Sequence, residues 1–495
     1  MSKYLYGASV QGIQSFIFST NKLKDIVGAS ELVEQICTSF FEEFEKNGEP
    51  IVKAAGGIKY IFNNEEDCRD AVLRFPNKVI EAAPGITISQ AVEIMEDDND
   101  FERAVNALEA KLLAQRNKPL GSTTIGLMAI ERSRQTGLPA IKVEKKEFLD
   151  EGVVKKREMT IEGKVVKELA IKESGNKNLD DSVIPYNISD LADKNNWIAI
   201  IHIDGNGLGN IIPKIGTDNK KLNEFSTKLD EATTQAAQAA YKDAVRSAYY
   251  NPMNSDVIPI RAIVLNGDDH TLICNAGIAI DYVKSFLINF EIQTKEKVGH
   301  LITDILGQDH LTACAGIAYV KASYPFHYGY DLAEKLCGIA KNESNRKHSC
   351  LFFHKVQSSF VEDFKEIERK ELTTVNNHSL KFGPYFKDDK DDKIGGYWTI
   401  EELQKRVDQL ASNKDGNATK SDIRQWLTLM HTDPGAAAQW VKRVDAISNE
   451  KQKNLFDAAT KQVERDKKIC YPAFDILSIL DVTHKITKKG KEDLL

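Results

Sequence analysis

The sequence predicts an α+β protein: two β-α-β-turn-β-α-β units in tandem, followed by a helical domain. Three observations carry this. The first 96 residues alternate between period-2 and helical patterning in the order "YLYGASVQ", "GIQSFIFSTNKLKDIVGASELVEQICTSFFEEFEK", "IVKAAGGIKYIFN", "EEDCRDAVLRFPNKVIEAA" and "GITISQAVEIM". From Trp197 the same order returns with different residues. After about residue 356 the strand signals give way to amphipathic helical ones.

Taken in order, residues 1–120 form the first unit, with its hairpin turn at "AAGGIKYIF". Residues 121–194 separate the units. Their stretch "IKVEKKEFLDEGVVKKREMTIEGKVVKELAIKES" is rich in Lys and Glu, with short β-like alternation around Glu162-Gly163, and reads as a solvated hairpin insert. Residues 195–355 form the second unit. "WIAIIHID" is its first strand, "NEFSTKLDEATTQAAQAAYKDAVRSAYY" a long helix and "VIPIRAIVLNGDDHTLICNA" a hairpin; "IAIDYVKSFLINFEIQTKEKV", "LTACAGIAYVKA" and "YGYDLAEKLCGIAK" complete it as helix, strand and helix. The two units share an architecture that suits ferredoxin-like domains. Residues 356–495 hold a charged run, "FKDDKDDKIGG", read as a solvated linker; a capping box then joins Thr399 to Glu402 ahead of "IEELQKRVDQLA", and the helices "SDIRQWLTLMH" and "PGAAAQWVKRVDAIS" make a small bundle.

Composition narrows the function. The chain has 495 residues, of which 42% are hydrophobic, enough for several ordinary cores. No apolar run reaches the roughly 20 residues of a membrane span, and "MSKYLYGASVQG" lacks a basic segment followed by an apolar one, so the cytoplasm is the expected location. Seven cysteines, never in a C-x-x-C pair, read as reduced core residues. A net charge of −7 argues against a protein that coats duplex nucleic acid.

Aspartate is disfavoured in apolar strands, yet "AIIHIDGNGLGN" ends one with Asp204, and "VLNGDDHTLIC" puts Asp268 and Asp269 together at a strand tip. In a β-α-β-β sheet the first strand and the hairpin are neighbours, so the three carboxylates are expected to converge. Such a cluster is unfavourable without a divalent cation, and all-oxygen ligands favour Mg²⁺ or Mn²⁺. Two such ions on carboxylates are the standard device for attack of a hydroxyl on a nucleoside triphosphate. Gly205, Gly207 and Gly209 would let backbone amides approach phosphates, with Asn206 and Gly267 in the same two turns. His270 reads as a hairpin residue, because Mg²⁺ prefers oxygen.

These residues resemble the palm domain shared by GGDEF nucleotide cyclases and the large polymerase/cyclase subunit of type III CRISPR effector complexes. The second family is the better fit: its G-I-Q-x-F-I-F segment running into K-L-[KR]-D-I-V-G-A-S stands as "GIQSFIFSTNKLKDIVGASELV" at 12–33. "RQTGLPAIKV" at 134–143 and "SDIRQWLTLM" at 421–430 are similar to segments between and after the family's palms. The resemblance implies a degenerate first palm, a second palm whose metal ligands and catalytic residues are Asp204, Asp268 and Asp269, and a triphosphate contact from Lys341, with Arg346 a further phosphate candidate. A backbone carbonyl near Ile203 or Gly205 would assist. The first palm is expected to face the second across the nucleotides, with Gly56 and Gly57 allowing close approach and no metal there. Asn266 replaces the first glycine of the usual G-G-D-D, which Asn tolerates if the position needs positive φ. No His-Asp dipeptide and no zinc-binding cysteines between the palms occur, so a compact, stand-alone version without DNase activity is expected.

The implied activity is metal-dependent conversion of nucleoside triphosphates, chiefly ATP, into cyclic or short oligonucleotide second messengers in antiviral defence. Cyclic dinucleotide synthesis and a non-catalytic nucleotide-binding scaffold are the alternatives. Partners would be the triphosphates, with RNA or other defence-system subunits beyond them and no membrane; a monomer holds both palms, and a dimer is compatible.

Overall fold

The computed structural model describes residues 2–54, 56–96, 100–117, 129–161, 164–215, 219–249, 257–357, 363–388, 396–411, 414–465 and 467–483. Strand β1 (Lys3–Gln11) is followed by α1 (Ile13–Ile17), α2 (Leu23–Cys37), β2 (Gly48–Ala54), β3 (Gly57–Phe62), α3 (Glu65–Ala82), β4 (Thr87–Met95) and α4 (Phe101–Arg116). The sheet runs β2-β3-β1-β4, antiparallel throughout. Alternation along β1 sends Tyr6 towards Phe62, Phe75 and α2, and Leu5 towards Leu108 and Leu112 of α4.

The long helix expected over residues 12–46 is interrupted. Gly12 adopts φ +66, and between α1 and α2 the side chains compete for backbone groups: Thr20 Oγ1 accepts the Lys22 N–H at 3.1 Å, and Asn21 Oδ1 accepts the N–H of Phe326, far along the chain, at 2.9 Å.

The segment between the units departs from expectation. It does contain a hairpin, β5 (Ala140–Glu144) with β6 (Glu147–Asp150), but the residues flanking 162–163 are helical, as α5 (Glu151–Ile161) and α6 (Lys164–Ser174); positions 162 and 163 themselves lie outside the described residues. Lys and Glu are good helix formers, and Val153 and Val154 are buried in a small cluster with Leu149. Nor is the segment a solvated spacer. Arg157, 3% exposed, meets the fully buried Asp25 of α2 with Nε 2.8 Å from Oδ1, and reaches Glu144 and Glu147. Lys156 Nζ donates to the Phe16 carbonyl at 2.6 Å. Removing one partner of a buried pair strands the other, so Arg157→Ala should cost about 3 kcal/mol, read as a lower urea midpoint at an unchanged slope.

The second unit comprises β7 (Trp197–Gly205), α7 (Leu208–Ile215), α8 (Asn219–Tyr249), β8 (Ile260–Asn266), β9 (Asp269–Asn275), α9 (Ala279–Leu306), β10 (Ala313–Lys321), α10 (Phe326–Glu343) and β11 (Cys350–Lys355), then α11 (Phe364–Lys370) and β12 (Tyr385–Phe386). Its sheet runs β12-β11-β10-β7-β9-β8. The inner order β10-β7-β9-β8 repeats β4-β1-β3-β2, so the duplication read from the sequence is present, with β11 added parallel to β10.

The C-terminal region is α12 (Ile400–Ala411), α13 (Lys414–Thr432), α14 (Pro434–Ile447), α15 (Glu450–Thr460), the hairpin β13 (Val463–Arg465) and β14 (Lys468–Cys470), and α16 (Ala473–Val482). The capping box forms as expected: Glu402 N–H donates to Thr399 Oγ1 at 3.1 Å, and Thr399 N–H to Glu402 Oε2 at 2.9 Å. In the charged run Lys387 pairs with Glu291 and Asp388, while 389–395 lie outside the described residues. All seven cysteines are free and buried. Among the described residues no helix is long and apolar enough to cross a membrane.

The two units share one core. Phe18 packs against Phe326 and Tyr330 of α10 with ring centroids 5.4 and 4.1 Å away, and the Ser30 hydroxyl of α2 donates to the Ile263 carbonyl of β8.

Candidate active site

β7 is buried on both faces until its end, where Asp204 is half-exposed. Asp204 is the register partner of Asp269 on β9, and Asn266 of β8 pairs with the same Asp269. This leaves Gly267-Asp268 as a two-residue turn. Gly267 takes φ +60, the glycine-first requirement of a type II′ hairpin. Asn266 stays in its strand and needs no positive φ, so the departure from G-G-D-D is accommodated without the reason expected from the sequence.

Asp268 folds back against the end of β7. A Cβ on Gly205 would lie 3.0 Å from Asp268 Cβ and 3.2 Å from its Oδ2, so a glycine there admits the acid. Asp268 shares a hydrogen bond with Asp204, and burial followed by the Asp204 carboxylate holds its carboxyl well above the usual range. Asp269 is pushed up to about 7 by the same two causes. The three predicted acids are thus brought together, and the carboxyls of Asp268 and Asp269 are raised because further negative charge is unfavourable there.

Lys341, 8% exposed, answers part of that charge. Its Nζ donates to Asp204 Oδ2 at 2.5 Å and to the Gly205 carbonyl at 2.7 Å. Behind the acids, buried His202 Nδ1 lies 3.0 Å from Thr271 Oγ1 and 3.4 Å from Asp269 Oδ1; burial lowers its pKa and favours the neutral ring. His270 points to the other face, with its ring nitrogens 3.0 Å from the Val264 carbonyl oxygen and 2.6 Å from the Tyr282 hydroxyl, a hairpin residue as expected.

The other predicted residues fall into two groups. Gly207 bends the turn after β7 at φ +87, and Gly209 is exposed with open space about it. Asn206, by contrast, is buried: its N–H donates to the Thr312 carbonyl at 2.8 Å and its Nδ2 to Thr312 Oγ1 at 3.0 Å, so it braces the turn against β10. Arg346 is exposed in the left-handed turn after α10. Gly56, at φ +95, sits where a Cβ would be 2.9 Å from Ile13 Cδ1, and Gly57 pairs with Ser9.

A chain of contacts links the glycine turn to the acids. Ile13 adjoins Gln14, whose Nε2 donates to the Tyr330 hydroxyl at 3.0 Å and to Glu334 Oε1 at 3.3 Å. The Tyr330 ring is 5.7 Å from that of His202, beside Asp269. Sequence reasoning quoted Gln14 without assigning it a role, and missed Tyr330, Glu334 and His202, whose partners are more than 60 positions away.

Among the described residues no group of three or more His, Cys, Asp or Glu side chains is poised around one point as a metal site. The donor set nevertheless fits a hard divalent cation: three carboxylates and the Gly205 carbonyl, with the Asp268 and Asp269 carboxyls raised by burial and by Asp204, a charge a cation would relieve.

Residues 197–350 match the family model of the Cas10/Cmr2 second palm domain. Among solved structures, the chain is similar to the Csm1–Csm4 cassette in complex with cA4 (TM-score 0.56, 13% identity, 97% of this chain and 69% of that one). It is likewise similar to the cassette with one ATP (0.56, 14%, 97% and 69%) and to Csm1 in T. onnurineus (0.52, 13%, 97% and 69%). No curated protein matches it. Residues 197–350 are therefore similar to the Cas10/Cmr2 second palm domain, within a chain that shares the Csm1 fold over nearly its whole length.

Proposed function

We propose that this chain is a nucleotidyltransferase that joins nucleoside triphosphates, ATP first among them, into cyclic or short linear oligonucleotides serving as messengers in cytoplasmic antiviral defence. The observation that carries the reading is the gathering of Asp204, Asp268 and Asp269 beside Lys341 at one sheet end, in the segment that matches the second palm. Fold neighbours crystallised with ATP, cA3 and cA4 make adenine nucleotides the first ligands to try, and their partner Csm4 makes a subunit of that kind the first protein partner.

In this reading Asp204, Asp268, Asp269 and the Gly205 carbonyl hold Mg²⁺ or Mn²⁺, which when bound activates the attacking hydroxyl and neutralises the departing pyrophosphate. Lys341 leaves Asp204 for the triphosphate. Gly207 and exposed Gly209 leave backbone amides open to phosphate, and Arg346 stands further out. The first palm, over residues 1–120, binds no metal and lends the Gly56, Ile13 and Gln14 side, against which the second nucleotide is placed. A hydroxyl must be held about 3 to 3.5 Å from the α-phosphate, which one shallow sheet face supplies poorly.

The full chain incubated with labelled ATP and Mn²⁺ should release pyrophosphate, and mass spectrometry of products from all four triphosphates should show an adenylate ring or short chain. The Lys341–Asp204 contact favours a second reading, a nucleotide-binding sensor whose acids never turn over. ATP binding without pyrophosphate would select it.

A further inference from the structure

The tip that carries Asp268 has to stay put while three carboxylates crowd one sheet end, and nothing within a two-residue turn supplies that stiffness. Its restraint comes from two helices outside the sheet. On α8, Asp230 Oδ1 accepts the Gly267 N–H at 3.1 Å, and Thr233 Oγ1 donates to the Gly267 carbonyl at 2.5 Å. The peptide units on either side of Gly267, 266–267 and 267–268, are therefore both tethered. On α6, Lys172 Nζ donates to Asp230 Oδ1 at 3.2 Å and to the Leu265 carbonyl at 2.8 Å, bridging the clamp to the strand that leads into the turn. Helix α6 is itself docked on α8: Gln238 Nε2 donates to the Lys172 carbonyl at 3.0 Å.

We infer that Asp230 and Lys172 are positioning residues that hold the Gly267-Asp268 turn, and with it the Asp268 carboxylate, in its metal-ligating place. The charge arrangement supports the same role. Asp230 alone would bring a fourth carboxylate to a turn already rich in negative charge; paired with Lys172 it offers its oxygen to Gly267 with that charge neutralised. Lys172 and Asp230 side chains are 26% and 37% exposed, so neither is needed to fill the core. The segment between the palms thereby acts on the acid hairpin through α6, while its α5 grips the first palm through Arg157.

The inference rests on the nucleotidyl-transfer reading for its purpose, and its test is independent of turnover. In the full chain, amide hydrogen exchange of a peptide spanning residues 264–270 should quicken about tenfold in Asp230→Ala and in Lys172→Met, with Mn²⁺ affinity falling about tenfold and the melting temperature little changed. Asp230→Asn keeps an oxygen for Gly267 and should recover most of both. Unchanged exchange in Asp230→Ala, or faster exchange with parental Mn²⁺ affinity, overturns the inference. A parent protein that releases no pyrophosphate from ATP would instead remove the nucleotidyl-transfer reading, and the exchange and Mn²⁺ measurements would still decide the clamp.

Discussion

Replacing Asp268 and Asp269 together by Ala should lower Mn²⁺-dependent pyrophosphate release by about 1,000-fold or more, the scale of losing a charge-stabilising set, while the metal-free protein melts at the parent temperature or above it. The folded chain holds Asp268 and Asp269 against burial and against Asp204, so their carboxyls sit above the ordinary range. A group raised in this way binds more protons folded than unfolded. The native state is therefore penalised as pH rises from about 4 through the Asp269 value of about 7. The double variant lacks the penalty, so its advantage in melting temperature should widen over that window and shrink when Mn²⁺ is added to the parent. A variant that unfolds, or one that turns over at the parent rate, would remove these acids from the chemistry.

Much of this site was legible because it is local or periodic. An apolar strand ending in Asp204 and a hairpin tip bearing Asp268 and Asp269 stand out against strand statistics, and the β-α-β-β order makes their strands neighbours; the register Asp204 to Asp269 bears that out. Periodicity likewise carried the duplication and the Thr399–Glu402 cap. What stayed hidden depends on pairs distant in sequence. Arg157 reads as one more charge in a Lys/Glu-rich run, and only its meeting with Asp25, 132 positions away, makes the segment between the palms a helical brace instead of a solvated hairpin. Asn206 reads as a turn residue with an amide to offer, yet Thr312 on the opposite strand end draws it inward. The tolerance of Asn266 for positive φ is not called on, because the turn needs only one such residue and Gly267 supplies it.

Lys341→Met should weaken ATP binding by about 10- to 100-fold, the range of one or two lost charge-assisted hydrogen bonds to phosphate, while Mn²⁺ binding without nucleotide should tighten. Both effects follow from one contact. In the free chain the Lys341 ammonium lies 2.5 Å from Asp204 Oδ2 and 2.7 Å from the Gly205 carbonyl, two of the oxygens assigned to the cation. Lysine and metal therefore compete for the same acceptors, and removing the lysine removes the competitor. The methionine chain keeps most of the buried stem, so packing on α10 is preserved and the change is chiefly one of charge. Stability should then reveal the exchange. Without metal, Asp204 loses its counter-charge, which should cost about 2 kcal/mol, below the figure for a fully buried pair because the Asp204 side chain is 37% exposed. With Mn²⁺ the loss should be made good, so the melting temperature of the variant should rise more on adding Mn²⁺ than that of the parent. Calorimetric titration of Mn²⁺ into both proteins without nucleotide decides the matter: equal affinities, or weaker binding in the variant, would mean that the lysine supports the acids in place and does not stand in for the cation.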